Sequence, residues 1–211
     1  MSALPQPEPQ PLRMTEAEYL EFERASEYKH EYIAGEVFAM TGASEAHNLI
    51  TSNVIFALRS QMRGRPCKVY PGDMRVQIRP SGLYTYPDIS VVCGESILAD
   101  DQHLDTLTNP TLIIEVLSPS TELYDRGRKF QYYRQIESLR EYVLIAQDAP
   151  RIERFVRQGD VWQFSDAVGL DASLELPSIG CTLALGDIYE QVTFEAEDAP
   201  PQPIDETKTG E

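Results

Sequence analysis

Residues 111–117, Thr-Leu-Ile-Ile-Glu-Val-Leu, constrain the fold of this chain more than any other stretch. The apolar run predicts a strand buried on both faces, yet Glu115 sets a carboxylate in its middle. Side chains alternate along a strand, so Ile113, Glu115 and Leu117 share one face and Ile114 and Val116 the other. A buried carboxylate without a partner costs several kcal/mol or takes up a proton. Either Glu115 meets a cation or it sits where the strand reaches solvent. The Ser118-Pro119-Ser120 break ends the strand, and a helix is expected from about Tyr124 to Glu137.

Around this strand the periodicities predict a mixed fold. Thr15 and Glu18 have capping-box spacing, so a helix is expected over 16–25. Residues 27–40 read as two strands joined at Ala34-Gly35. Ser44 is placed to cap a second helix, whose apolar face carries Ile50, Val54, Ala57 and Leu58 and which Gly64 ends. Strands follow at 67–70, 73–78 and 86–92, and another at 141–146. A hairpin is expected about Gly159-Asp160, and a last short helix in Leu185–Val192. This order predicts an α/β (α+β) chain with a central mixed sheet flanked by helices. The Pro-rich residues 1–13 are expected to be a flexible lead and 195–211 a disordered acidic tail. Residues 14–194 show no repeat and no long linker, and are taken as one domain of the 211-residue chain.

Charge narrows the function classes. The net charge is −16, and residues 195–211 hold six acids and one lysine, leaving −11 on the rest. That balance argues against broad attraction to nucleic acid phosphates, so any such contact must be local. No apolar run approaches the ~18 residues of a membrane span, and the N-terminus has no basic start or apolar centre of a secretory signal. Cys67, Cys93 and Cys181 are odd in number and widely spaced, fit no zinc pattern and are expected to be small core residues in a reducing cytoplasm.

Three acids stand out by their neighbours: Asp88 after Pro87 at the mouth of an apolar strand, Glu115, and Glu36 after the Gly35 turn. Carboxylates brought together at neighbouring strand ends repel, and a divalent cation relieves that repulsion. Oxygen ligands from Asp and Glu suit Mg²⁺ or Mn²⁺. A lysine beside such an ion would stand two residues after Glu115, where the chain has Leu117. Lys129 and Asp125, four apart, lie on one face of the following helix. Arg126, Arg128 and Arg134 add local positive charge where a nucleic acid backbone could lie.

Pro87-Asp88 followed by Glu115-Val116-Leu117 resembles the signature of the PD-(D/E)XK nuclease superfamily. The run from Glu115 to Tyr133, with Tyr-Ile-Ala-Gly-Glu-Val-Phe-Ala-Met over 32–40 and a following histidine, resembles the restriction endonuclease family once known as a domain of unknown function. The resemblance spans Thr15 to Phe194. It implies a restriction-endonuclease-like fold and metal-dependent cleavage of DNA, duplex or single-stranded. Asp88 and Glu115 would be metal ligands, with the Val116 carbonyl a third. Lys129 would be the catalytic lysine, supplied from the helix in place of Leu117. Glu36, His47 and Asp125 are candidate accessory residues. Cutting both strands of a duplex favours a two-fold homodimer.

Each residue also has an ordinary reading. Asp88 fits a turn after proline, Asp125 an acid favoured by a helix N-terminus, and Lys129 a solvated helix lysine. His47 fits a surface or satisfied core position; Tyr132, Tyr133 and Trp162 fit packing against the sheet. The alternative function is a nucleic-acid-binding or structural member of the same fold that has lost turnover. A glycosidase built on paired carboxylates is a weaker third, because the chain lacks an aromatic-rich sugar platform.

Overall fold

The computed structural model describes residues 12–100 and 102–194. The chain begins with β1 (Leu12–Arg13), α1 (Glu16–Ala25), β2 (His30–Ile33), β3 (Glu36–Ala39) and α2 (Glu45–Gln61). It continues through β4 (Cys67–Pro71), β5 (Arg75–Ile78), β6 (Leu83–Thr85), β7 (Ile89–Cys93), β8 (Thr106–Leu107) and β9 (Leu112–Val116). A helical segment follows, made of α3 (Glu122–Tyr124), a π-helical turn (Asp125–Lys129) and α4 (Phe130–Tyr133). The last elements are β10 (Glu141–Ile145), β11 (Arg151–Gln158), β12 (Val161–Val168), β13 (Ser173–Leu176), β14 (Cys181–Ala184) and α5 (Leu185–Ile188).

The mixed class is the one expected, but the strands divide between two six-stranded sheets rather than filling one. The first runs β1-β3-β2-β6-β5-β8 and the second β12-β11-β10-β9-β7-β4, with β13-β14 a separate hairpin. In the second sheet β9 pairs parallel with β10 and antiparallel with β7. That makes β9 a central strand, buried at all five positions. Its two faces serve different cores. Ile114 and Val116 pack with Ile50, Val54 and Leu58 of α2 and with the β14–α5 segment. Ile113 and Leu117 pack with Val76, Ile78 and Leu83 of the first sheet, so the two sheets meet across this layer. Tyr133, Ile136 and Leu139 complete it.

Local signals account for most boundaries. Thr15 and Glu18 form the capping box of α1, and Ser44 Oγ accepts the His47 N–H at the start of α2. The helix expected to run to Glu137 ends at Tyr133, and the chain leaves it through turns that bury Ile136 and Leu139. Of the expected flexible lead, Leu12 and Arg13 pair with Val37 and Glu36; residues 1–11 lie outside the described residues, as does the acidic tail over 195–211.

The cysteine expectation holds for Cys181 and fails for Cys67 and Cys93. Cys67 and Cys93 face each other across β4 and β7 with Cα atoms 4.0 Å apart and form a disulfide. Direct cross-strand register puts the two side chains on one face of the sheet, and sequence spacing alone does not show that register. Cys181 is the buried free thiol among the described residues. No helix of the described residues is long and apolar enough to cross a membrane.

Candidate active site

Asp88 ends the loop into β7, and Glu115 lies one strand away near the end of β9. The antiparallel pairing of these strands brings the two acids together. Asp88 Oδ2 accepts the Val116 N–H at 2.7 Å, and the Asp88 N–H donates to Glu115 Oε2 at 3.3 Å. Each carboxylate is thus anchored on the backbone of the other's strand. Both open onto a groove of about 850 Å³ that α2, the Ser118–Thr121 loop and the helical segment border.

Lys129 reaches this pair. Its Nζ lies 3.0 Å from Glu115 Oε1, 3.3 Å from Asp125 Oδ1 and 3.3 Å from Glu31 Oε1. The π-helical turn helps place it. A wider turn keeps residues four apart in register, so Asp125 and Lys129 both point inward and are buried. Tyr133, four residues further on, donates its hydroxyl to Glu115 Oε1 at 2.7 Å. Leu117 meanwhile sits in the layer between the sheets. The place beside Glu115 that the strand leaves without a lysine is therefore filled from the helix.

Three carboxylates, those of Glu115, Glu31 and Asp125, crowd around one ammonium, and Asp88 stands behind Glu115. Burial pushes Glu115 up to about 8, against the pull of Lys129 and with the help of the Asp88 and Asp125 charges. Burial also raises Asp125. For Lys129, burial works against the charge, but Glu115 and Glu31 outweigh it and hold the amine protonated. His47 Nε2 lies 3.2 Å from Asp88 Oδ2; burial alone would lower this imidazole, and the Asp88 hydrogen bond and charge raise it instead.

Among the described residues no three His, Cys, Asp or Glu side chains converge into a ready-made metal cage. The donor chemistry nonetheless fits a hard cation. Asp88 and Glu115 are adjacent oxygen donors, and the surrounding cluster holds more buried acid than Lys129 neutralises.

Sequence reasoning placed Asp88, Glu115, Lys129, His47 and Asp125, and the fold brings all five together. Glu36 does not join them. Its carboxylate accepts from Arg13 Nη2 at 2.6 Å, because β1 covers that end of β3. The acid that does join is Glu31 on β2, held also by the Thr85 hydroxyl. It carried a usable signal: Glu31 alternates with Ile33 on one strand face, and Ile33 packs into the layer between the sheets. Tyr133, expected only to pack, also belongs to the site. Arg126 is not a free cation, since Glu122 Oε1 at 2.7 Å and Glu153 both pair with it. Arg128 and Arg134 are exposed, Arg134 lying over the Phe130 ring.

Residues 16–186 match the Uma2 family, described as "Putative restriction endonuclease", and the chain belongs to that family. Two uncharacterized proteins of Synechocystis sp. (strain ATCC 27184 / PCC 6803 / Kazusa) are similar along most of its length. One, slr1290, is 34% identical over 183 residues, covering 86% of this chain and 94% of its own. The other, sll1609, is 38% identical over 163 residues, 77% of this chain and 92% of its own. The fold is also that of a crystal structure of "a putative nuclease belonging to DUF820" from Anabaena variabilis ATCC 29413, with a TM-score of 0.68 at 19% identity. That match covers 85% of this chain and 99% of the other.

Proposed function

We propose that the protein is a divalent-metal-dependent endonuclease that hydrolyses DNA phosphodiester bonds. The observation that carries this reading is the meeting of Lys129 with Glu115 at 3.0 Å, beside Asp88, in an open groove. Asp88 and Glu115, with the Val116 carbonyl, would hold Mg²⁺ or Mn²⁺. When bound, the ion supplies positive charge at the phosphate and eases ionisation of a water. Glu115 would hold the ion in its ionised form, its proton released to solvent in the groove. Lys129, kept protonated by its carboxylate neighbours, offers N–H donors to the attacking water or to phosphate oxygens as negative charge develops. Asp125 and Glu31 fix the ammonium in place. His47 steadies Asp88 from the other side.

Arg128 and Arg134 are exposed cations for the DNA backbone. This reading carries with it a cytoplasmic location, in which the Cys67–Cys93 pair would meet reducing conditions. The test is cleavage of plasmid and of single-stranded DNA with Mg²⁺ or Mn²⁺, wild type against Asp88→Ala. Equal cleavage by the two proteins removes the enzyme reading for those substrates. DNA binding without cleavage would instead favour the alternative, a member of the fold without turnover.

A further inference from the structure

We propose that the free edge of β12 is the interface of a two-fold homodimer, formed by antiparallel pairing of β12 with β12 of a second copy. The pairing holds whether or not the groove cleaves DNA.

The strand stands last in its sheet, and among the described residues nothing pairs with its outer side. Hairpin register tells which backbone groups face outward. Gln158 pairs with Val161 across the two-residue loop Gly159-Asp160, and such a closing pair exchanges both hydrogen bonds. Bonded and non-bonded pairs alternate along an antiparallel ladder. Val161, Gln163, Ser165 and Ala167 therefore turn their N–H and C=O groups toward β11, and Trp162, Phe164, Asp166 and Val168 turn theirs to the open edge.

Natural sheets protect such edges with lysine, proline, a bulge or a cover. β12 reads Val-Trp-Gln-Phe-Ser-Asp-Ala-Val, with no lysine and no proline, and its eight residues pair one-to-one with β11 without a bulge. It exposes Val161 (63%), Phe164 (50%) and Val168 (63%). Phe164 is the open end of an aromatic layer that runs from Phe130 through Phe155, with ring centroids 4.6 and 5.3 Å apart.

A strand paired with its own copy about a two-fold axis perpendicular to the sheet must centre on one residue. Centring on Phe164 makes it exchange both hydrogen bonds with Phe164 of the second copy and sets the two rings side by side. Trp162 and Asp166 then pair reciprocally. Centring on Asp166 would oppose two carboxylates, which is unfavourable.

Charge supports the Phe164 register. Arg157 lies over the Trp162 ring at 4.8 Å, and its Nε is buried without a hydrogen-bond partner. Its other nitrogens donate to the Arg134 and Glu137 carbonyls, and among the described residues no carboxylate lies within ion-pair distance. The Phe164 register brings Asp166 of the second copy, whose ion-pair partner among the described residues of its own protomer is the exposed Arg151 at 3.7 Å, next to Trp162, and so adds negative charge to the face that carries Arg157.

The experiment is sedimentation velocity on the full chain, at micromolar to tens-of-micromolar concentration, with hydrogen exchange on the same samples. Wild type is expected at twice the chain mass. Phe164→Glu, which sets two carboxylates against each other at the axis, is expected to raise the dissociation constant at least about 30-fold. Circular dichroism reports whether the variant keeps its fold. Wild-type hydrogen exchange needs no variant: the amides of Trp162, Phe164 and Asp166 should be protected like ladder amides. A monomeric wild type, a folded Phe164→Glu that remains dimeric, or free-edge exchange at those three amides overturns the proposal.

Discussion

Lys129 Nζ lies 3.0 Å from Glu115 Oε1, although one residue is on a helical segment and the other on a central strand. The Ser-Pro-Ser break and the π-helical turn make this meeting possible. Removing the ammonium leaves buried acids without their cation. Lys129→Met should cost about 3–5 kcal/mol of stability, read from denaturant midpoints. Cleavage by the folded fraction should fall about 10²–10³-fold. Adding Glu115→Gln should restore part of the stability and none of the cleavage.

Glu31 and Glu36 should behave differently although they are close in sequence. Glu31 lies 3.3 Å from Lys129, whereas Glu36 pairs with Arg13 at the rim. Glu31→Gln should lower kcat about 10–100-fold, as loss of an orienting partner does elsewhere. Glu36→Gln should leave kcat within about twofold, since exposed pairs contribute little. Steady-state kinetics on one DNA substrate checks both.

The metal-free protein should lose stability as pH rises. Glu115 and Asp125 titrate above their unfolded values, so the folded state binds more protons than the unfolded state between them. Stability then falls with rising pH, from about the ordinary carboxylate pKa of ~4.5 up to about 8 for Glu115. In EDTA the melting temperature should decline across that window. Glu115→Gln should flatten the decline, and saturating Mg²⁺ should offset it by favouring ionised Glu115. Thermal melts at several pH values, with and without Mg²⁺, read all three.

Reducing the Cys67–Cys93 bond should weaken the fold without touching the site. The bridge closes a loop with a sequence separation of 26, for which chain entropy gives about 3.5 kcal/mol. Cys93 ends β7 while Asp88 precedes its other end, roughly 17 Å away at about 3.3 Å per residue. Denaturant midpoints with and without reductant should show the loss, and kcat at a temperature where both forms are folded should be unchanged.

Much of the site was legible because it broke a pattern. Glu115 interrupts an apolar strand and Asp88 opens another, so both stood out against their neighbours. Glu31 obeyed the same rule, but β2 is short and the polar His30 beside it hid the alternation. Tyr133 was hidden for the opposite reason: a tyrosine at a core position needs no further explanation, and its hydroxyl bond appears only once β9 and α4 are packed. Long-range register is what a single sequence hides. The disulfide, the division into two sheets and the pairing of Arg126 with Glu153 all depend on which strands become neighbours. A basic residue after a strand break could be read as a free cation only until its carboxylate partners were in place.

Asp88, Glu115 and Lys129 are proposed to form a metal-dependent nuclease centre. The most direct measurement is the initial rate of DNA cleavage against Mg²⁺ concentration, for wild type and for Asp88→Ala. A saturable rise in wild type, abolished by EDTA and absent from the folded variant, is the predicted result. A wild-type rate that stays at the variant's level throughout the titration, with Mn²⁺ as well, would contradict it.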